Sequence, residues 1–398
     1  MRRLVTVALL CLFVVNAGAS SAVPTEIVQF VFTSDSHFGL TRKAFRGQAN
    51  VDAAIVNEAL VATINALPSA AIPKDGGIGG GASVGSIDFV ANAGDIANRS
   101  ETTDTEQIQP ASVSWTEFQR VYLQGVRLQN HEGQRSPVFV VPGNHDVSNA
   151  IGYHRPMVPA TDPTSLIGIY NLMMRPNVPL TPASFSYPRD RVQTTRDIGG
   201  VHFIFLTVWP DSSERAWIAR DLASIPANMP VMLVTHDQPD AEGKHFTNPA
   251  GLHDINATDK FENLLVDALD DGPTIEAPSV REQAGLERFL ADHPNVTAYF
   301  HGNSNWNQFY DWTGPDQSLA LHVFRVDSPM KGNFSANDET VMSFQLATID
   351  MASRRMTVRE VLWNAHRGAA GTEITWGAST TVALSPRPRV LPGGSARY

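Results

Sequence analysis

Residues 137–146 read "PVFVVPGNHD". A short apolar run rich in valine stops at Pro142-Gly143, and Asn144, His145 and Asp146 follow at once. The pattern describes a buried strand that delivers polar groups at its carboxyl end. Alone it would be weak, because a Gly-Asn pair is most often a turn and a single histidine most often structural. Its weight comes from recurrence along the chain.

"FVFTSDSHFG" places Asp35 and His37 just past an earlier apolar run, and "FVANAGDIAN" places Asp95 and Asn98 past the next. "VMLVTHDQP" supplies His236 and Asp237 in the same way. In open α/β sheets ligands bind in the crevice outside the strand carboxyl ends, so four such strands predict one shared site. The residue types suit two divalent cations. Asp and His ligate Zn, Mn or Fe, one carboxylate can bridge a pair of ions, and Asn adds a neutral oxygen.

Taken in order, D-x-H, G-D-x-x-N, G-N-H-D and a later lone His resemble the calcineurin-like metallophosphoesterase superfamily. The likeness extends through "GGVHFIFLTVWPDSSERAWIARDLA", a strand followed by a helix with a Trp-aliphatic pair. It implies an α/β fold of two packed mixed β-sheets flanked by helices, a four-layer αββα sandwich. It also implies Asp35 and His37 on a first metal, Asp95 bridging both, and Asn144 and His236 on a second. His145, paired with Asp146, would face the phosphate and the leaving group, with Asn98, Asn144 and His145 binding substrate. Asn98 stands where purple acid phosphatases have Tyr, and that branch is not favoured.

The resemblance breaks at the last motif. The family has G-H-x-H at the end of a buried strand; here "VTAYFHGNSN" sets Asn303 and Asn305 in the two histidine positions. His301 falls one residue before Gly302, on the opposite strand face. Two nitrogen donors are thereby exchanged for amides that bind hard cations weakly, which shifts the expected ions from Zn or Fe towards Mn or Mg. The following "NWNQFYDW" adds Trp306, Phe309, Tyr310 and Trp312, divided between packing and substrate stacking.

Between the apolar runs lie helix-period stretches at residues 50–67, 114–130, 213–225 and 279–293, and after Asn305 the pattern turns to strands that close antiparallel. The Gly-rich segment 72–86 contains Gly81-Ala82-Ser83-Val84-Gly85, a chance match to a nucleophile elbow, which requires a preceding strand and a following helix. His245 and His253 fall in a long segment read as a cap over the pocket or as plain surface.

Residues 1–22 run from Arg2-Arg3 through an apolar stretch to small residues at Ala17, Ala19 and Ala22, the order of a secretory signal, too short for a membrane span. The lone Cys11 lies inside it, so disulfides, thiolate zinc and cysteine nucleophiles are excluded from the mature chain. The expected division is signal peptide 1–22, phosphoesterase domain 23–380 and flexible tail 381–398, in a secreted or periplasmic protein. Thirty basic against forty acidic residues give a net charge of -10 with no cationic stripe, which disfavours long nucleic acids. The expected function is metal-dependent hydrolysis of a small phosphomonoester or phosphodiester by direct attack of a metal-activated water, with two divalent ions among Mn, Fe, Zn and Mg. A non-catalytic or weakly active metal- or phosphate-binding protein on the same scaffold is the alternative. Oligomeric state is not legible.

Overall fold

Strand β7 (Val201–Leu206), with the sequence VHFIFL, is buried at every position. Side chains alternate across a strand, so an unbroken buried run requires cover on both faces. Phe203 and Phe205 meet the aromatic rings of a second sheet, with Phe203 5.0 Å from Phe89 and Phe205 5.1 Å from Phe139. Ile204 and Leu206 face the other way, into a cluster with Ile218, Leu286 and Leu290. These come from helices α5 (Ser212–Leu222) and α6 (Val280–Asp292). One strand thus records a helix layer on one side and a sheet on the other.

The computed structural model describes residues 27–99, 108–147, 162–186, 189–241, 280–366 and 372–387. The signal-like segment 1–22, Cys11, His245 and His253 lie outside them. The first sheet contains β1 (Ile27–Thr33), β4 (Phe89–Asn92), β5 (Val138–Val140), β12 (Ser343–Asp350), β13 (Arg355–Leu362) and β14 (Thr375–Ala383), in the order β14-β13-β12-β1-β4-β5. β1, β4 and β5 run parallel, and β12 to β14 add antiparallel strands, as the C-terminal pattern predicts. The second sheet contains β6 (Gln193–Ile198), β7, β8 (Val231–Val234), β9 (Val296–His301), β10 (Gln308–Trp312) and β11 (Leu321–Arg325), in the order β10-β11-β9-β8-β7-β6. Its four central strands are parallel and its edges antiparallel. Phe30 and Phe32 of β1 lie 5.2 and 5.1 Å from Phe300 of β9, closing the core between the sheets. Helix α1 (Ala53–Ala66) packs Val56, Leu60 and Ile64 into that cluster at helical spacing. The architecture is that of two mixed sheets flanked by helices.

Local structure departs from the pattern in several places. The helix expected from residue 50 starts at Ala53, because β2 (Thr41–Phe45) and β3 (Gln48–Asp52) form a hairpin first. Its two turn residues, Arg46 and Gly47, both have positive φ, of 48° and 78°, the requirement of the tight turn that matches strand twist. The helix expected over 114–130 is α2 (Ala111–Phe118) continued by a π-helical stretch to Gln124. A four-residue turn, α3 (Asn144–Val147), and α4 (Thr164–Met174) complete the α-helices among the described residues. Ser83 is exposed in an isolated β-bridge with Ala71, on a segment that leads into β4, not into a helix. β14 continues to Ala383, three residues beyond the expected domain end, and Arg387 donates to the carbonyl of Val296 over 3.1 Å. Among the described residues no helix is long and apolar enough to cross a membrane.

Candidate metal centre

The parallel strands of both sheets end at one edge of the sandwich, and the polar loops that follow them interlock. The N–H groups of Asp35 and His37 donate to the carbonyls of Gly94 and Asp95, each over 2.9 Å. The amide of Gly302 donates to the carbonyl of His236 over 2.9 Å, joining the ends of β9 and β8. Asp35, His37, Asp95, Asn303 and Asn305 all hold positive φ, between 41° and 62°. This backbone is costly for side-chain-bearing residues and persists where surrounding bonds over-determine it, a signature of functional sites.

Glycine permits the close approach. A Cβ on Gly302 would lie 1.9 Å from Ser34 Oγ and 2.4 Å from Asp35 Oδ2; one on Gly143 would lie 2.2 Å from Asp95 Oδ1. The last motif thus crowds Asp35, and the Gly-Asn-His-Asp motif crowds Asp95.

Two groups of potential ligand atoms result, His37 with Asp95 and His145, and Asp35 with Asp95 and His236; within each group the atoms lie within 4.8 Å of one another. Asp95 belongs to both, as a bridging residue must. Its Oδ2 is 3.6 Å from His37 Nε2 and 3.9 Å from His145 Nε2, while its Oδ1 is 3.5 Å from His236 Nε2. Asp35 Oδ1 lies 3.5 Å from His37 Nε2.

The hydrogen bonding tests whether cations fit. His236 Nδ1 faces the Ala93 carbonyl at 2.7 Å, so it carries the proton and donates. Its Nε2 then points a lone pair at Asn144 Oδ1, 2.9 Å away, and at the Asp95 carboxylate. Three acceptors converging without a donor need a positive charge between them, either a cation or a proton on His236. His145 repeats the arrangement: its Nδ1–H donates to the Asn98 carbonyl and its Nε2 faces the site. Among the described residues, Asp35 Oδ1 and both ring nitrogens of His37 are buried without a hydrogen-bond partner. Buried polar atoms are rarely left so, and the donor set fits divalent cations.

Electrostatics carry the same imprint. Burial pushes the Asp95 carboxyl up to about 8, with the Asp35 and Asp146 carboxylates adding to the push and His236 opposing it. Burial would raise Asp35 too, but His37, whose Nε2 lies 3.5 Å from Asp35 Oδ1, and the nearby His236 draw it down to about 2. Burial depresses His37 to about 3, helped by Lys331. For His236, burial is outweighed by Asp95, Asp35 and Asp237, which hold it above its ordinary value.

Asp146 requires a correction. It does not pair with His145: its carboxylate accepts the N–H groups of Ile96 (3.1 Å), Ala97 (3.1 Å) and Gly143 (3.0 Å) and the hydroxyl of Ser165 (2.7 Å). Successive residues of a helical turn point in different directions, so sequence adjacency does not make a pair. Asp146 fixes the loop that carries Asp95. Asn98 contributes through its backbone carbonyl to His145. Asn303 meets the site by its backbone, the N–H donating to Asp35 Oδ2 over 3.0 Å, while its side-chain amide donates to Asp237 Oδ1 (2.8 Å) and Gln238 Oε1 (3.3 Å). Asn305 Nδ2 donates to the Asn303 carbonyl over 2.6 Å, and its Oδ1 is buried without a partner among the described residues. His301 is turned to the Tyr310 hydroxyl at 3.0 Å. Of the four aromatics that follow it, Trp312 is buried in the outer cluster and Phe309 packs on Phe324; Trp306 and Tyr310 line a cavity.

Lys331 escapes a reading by motif. Its ammonium lies 3.1 Å from His145 Nε2, and its N–H donates to Ser328 Oγ (2.8 Å), which itself donates to the Asp35 carbonyl (2.9 Å). The available signal is position, since "HVFRVDSPMK" is another apolar run followed by polar groups.

Carboxylates and imidazoles gathered at the strand ends of a mixed two-sheet sandwich define a metallohydrolase. The chain belongs to the calcineurin-like phosphoesterase family, whose sequence model matches residues 28–328, with Gly-Asn-Ser-Asn replacing the final Gly-His-x-His. It is thus a hydrolase of phosphate esters from a dimetal-dependent family. No curated protein sequence matches. Solved structures to which the chain is similar include a dimetal phosphatase from Danio rerio, 9% identical, covering 90% of this chain and 99% of that one at a TM-score of 0.43. A phosphopantetheinyl hydrolase from Mycobacterium tuberculosis is 12% identical, covering 76% and 90% at 0.32. A 5'-nucleotidase precursor from Thermus thermophilus is 9% identical, covering 92% of this chain and 56% of that one at 0.34.

Proposed function

We propose that the chain is an exported phosphoesterase acting on a small phosphomonoester or phosphodiester by direct water attack. The observation that carries this reading is Asp95, shared between two groups of potential ligands, with His145 and His236 each held at Nδ1 by a backbone carbonyl so that Nε2 faces the centre. Asp35, His37 and Asp95 would hold one divalent cation, and Asp95, Asn144 and His236 the other. When bound, such a pair supplies an acidified water and the positive charge that a phosphoryl group needs in an in-line displacement.

The protein's own groups do the rest. Asp95 fixes the spacing of the two places through its separate oxygens. His145, held at Nδ1 by the Asn98 carbonyl, presents Nε2 to the phosphate or the leaving oxygen, and Lys331 adds a cation beside it. Asn305, whose Oδ1 is buried without a partner among the described residues, would stand at one remaining place as a weaker oxygen donor, while Asn303 supports Asp35 through its backbone N–H. Export rests on residues 1–22, and recovery of a product begun after Ala19 or Ala22 would support it. The catalytic reading is tested by loading purified mature protein with Mn, Zn, Fe or Mg in turn. Hydrolysis of neither a chromogenic monoester nor a diester above background defeats it.

A further inference from the structure

Next to the metal centre a cavity of about 590 Å³ opens between the ends of β8, β9, β10 and β11. Gln238, Asn303, Trp306, Tyr310 and Arg325 line it, with Asp240 at an exposed rim. Asn303 belongs to both places: its backbone caps Asp35 and its residue forms part of the cavity wall. The cavity is thus next to the place where a phosphate would bind, and its volume is typical of small-molecule sites.

Arg325 is the unexplained feature of that wall. It ends β11, in register with His301 of β9 and Gln308 of β10, and is 9% exposed. Its guanidinium carbon lies 3.6 Å from the ring centroid of Trp306 and 5.4 Å from that of Tyr310. Among the described residues its guanidinium makes no hydrogen bond or ion pair, and Nε is buried with no partner. Stacking satisfies the face of a guanidinium and leaves its edge of N–H donors unused. A buried cation with a free donor edge on a cavity is costly unless an acceptor fills it. Among the lining residues Arg325 is the cation and Asp240, at the exposed rim, the carboxylate, with the buried Asp237 behind Asn303, so an anion would be met at the donor edge of Arg325.

Resting on the phosphoesterase reading, we propose that this cavity takes the leaving group of the substrate and that Arg325 binds an anionic group on it. A carboxylate or a second phosphate offers the matching two-oxygen edge. The substrate class is then a phosphate ester whose alcohol carries its own negative charge.

The test compares three esters on the metal-loaded protein: glycerol 3-phosphate, 3-phosphoglycerate and propane-1,3-diol bisphosphate. The first has an uncharged leaving group, the second adds a carboxylate and the third a phosphate. At least one charged ester is expected to show a kcat/KM about tenfold or more above glycerol 3-phosphate, through KM, as one charge-assisted bond would give. Arg325→Gln is expected to reduce that ratio at least tenfold, and Arg325→Lys to keep part of it. The ester favoured tells carboxylate from phosphate. A wild-type ratio near one, or a ratio unchanged in Arg325→Gln, overturns the proposal. If none of the three is hydrolysed, the chromogenic esters judge the catalytic reading separately, and calorimetric titration of the two charged esters decides on the cavity. Binding that is lost in Arg325→Gln and retained in part in Arg325→Lys supports the site, and absence of binding to wild type removes it.

Discussion

The backbone N–H of Asn303 donates to Asp35 Oδ2 over 3.0 Å, tying the last polar strand end to the first through the main chain. The side chain that the family would aim at a cation is instead turned to Asp237 and Gln238. The tie survives exchange of the side chain. This explains how the strand ends stay assembled although two imidazoles are missing.

Restoring those imidazoles separates geometry from ligand identity. Asn303→His/Asn305→His is expected to bind Zn-like ions at least tenfold more tightly than wild type, read by competition with a coloured chelator. Asn305→His should carry most of the gain. Asn303→His also breaks the bonds to Asp237 and Gln238, which costs stability of about 1–3 kcal/mol. Unchanged affinity in the double variant would show that neither position faces a cation.

Gly302 has no room for a side chain, since a Cβ would stand 1.9 Å from Ser34 Oγ and 2.4 Å from Asp35 Oδ2. Gly302→Ala must displace Asp35 or the β9 turn. It is expected to lower stability by about 1–3 kcal/mol and to weaken cation binding more than that loss alone explains. Denaturant unfolding with and without Mn checks both, and a variant with wild-type metal affinity would contradict the crowding argument.

Lys331 brings a positive charge to the group that faces the reacting phosphate, 3.1 Å from His145 Nε2. Lys331→Met is expected to lower kcat/KM about 100- to 1,000-fold, the range for loss of one preorganised donor, with little change in the folded midpoint. Lys331→Arg should recover part of it. Equal loss in both variants would mean that geometry, not charge, is what Lys331 supplies.

Removing the ions should be visible without any substrate. The Asp35 and Asp95 carboxylates converge with His37, His145 and His236, so a cation that binds only the folded chain stabilises it by mass action. At a free concentration a hundredfold above the dissociation constant the gain is about 2.7 kcal/mol. Thermal unfolding of chelated protein is expected several degrees below that of the Mn-loaded protein. Identical curves would argue that protonated His236 satisfies the site by itself.

How much of this could be read from the chain divides along a physical line. Asp35, His37, Asp95, His145 and His236 were legible because each follows its own strand within a few residues, and a shared sheet edge does the rest. Asp146 was legible as a site residue but not in its role, because adjacency to His145 suggested a pair and a helical turn separates the two. Arg325 and Lys331 also follow an apolar run. Their meaning depends on β11 lying parallel beside β9, a contact that no local pattern encodes. The β2–β3 hairpin was hidden for a related reason: its turn is Arg46-Gly47, without the Asn or Asp that usually announces one.

A last prediction concerns the Gly-rich loop at 72–86, which reads as flexible but is pinned by an ion pair. Arg359 of β13 donates from Nε to Asp75 Oδ2 (2.8 Å) and from Nη2 to Asp75 Oδ1 (2.9 Å), with the arginine side chain 1% and the aspartate 18% exposed. Those bonds hold the Asp75 carboxyl well below the usual carboxylate range, against a smaller opposing effect of burial. A folded-state pKa that is depressed stabilises above the unfolded value of about 3.9 and loses that contribution as pH falls towards the folded one. Asp75→Asn leaves the buried guanidinium uncompensated and is expected to cost about 3 kcal/mol at neutral pH. The gap between wild type and variant should hold down to about pH 5 and shrink below about pH 4 as the wild-type carboxylate takes up its proton. Urea midpoints measured across that range decide the matter, since a gap that stayed constant to the acid limit would mean that Asp75 acts by shape and not by charge.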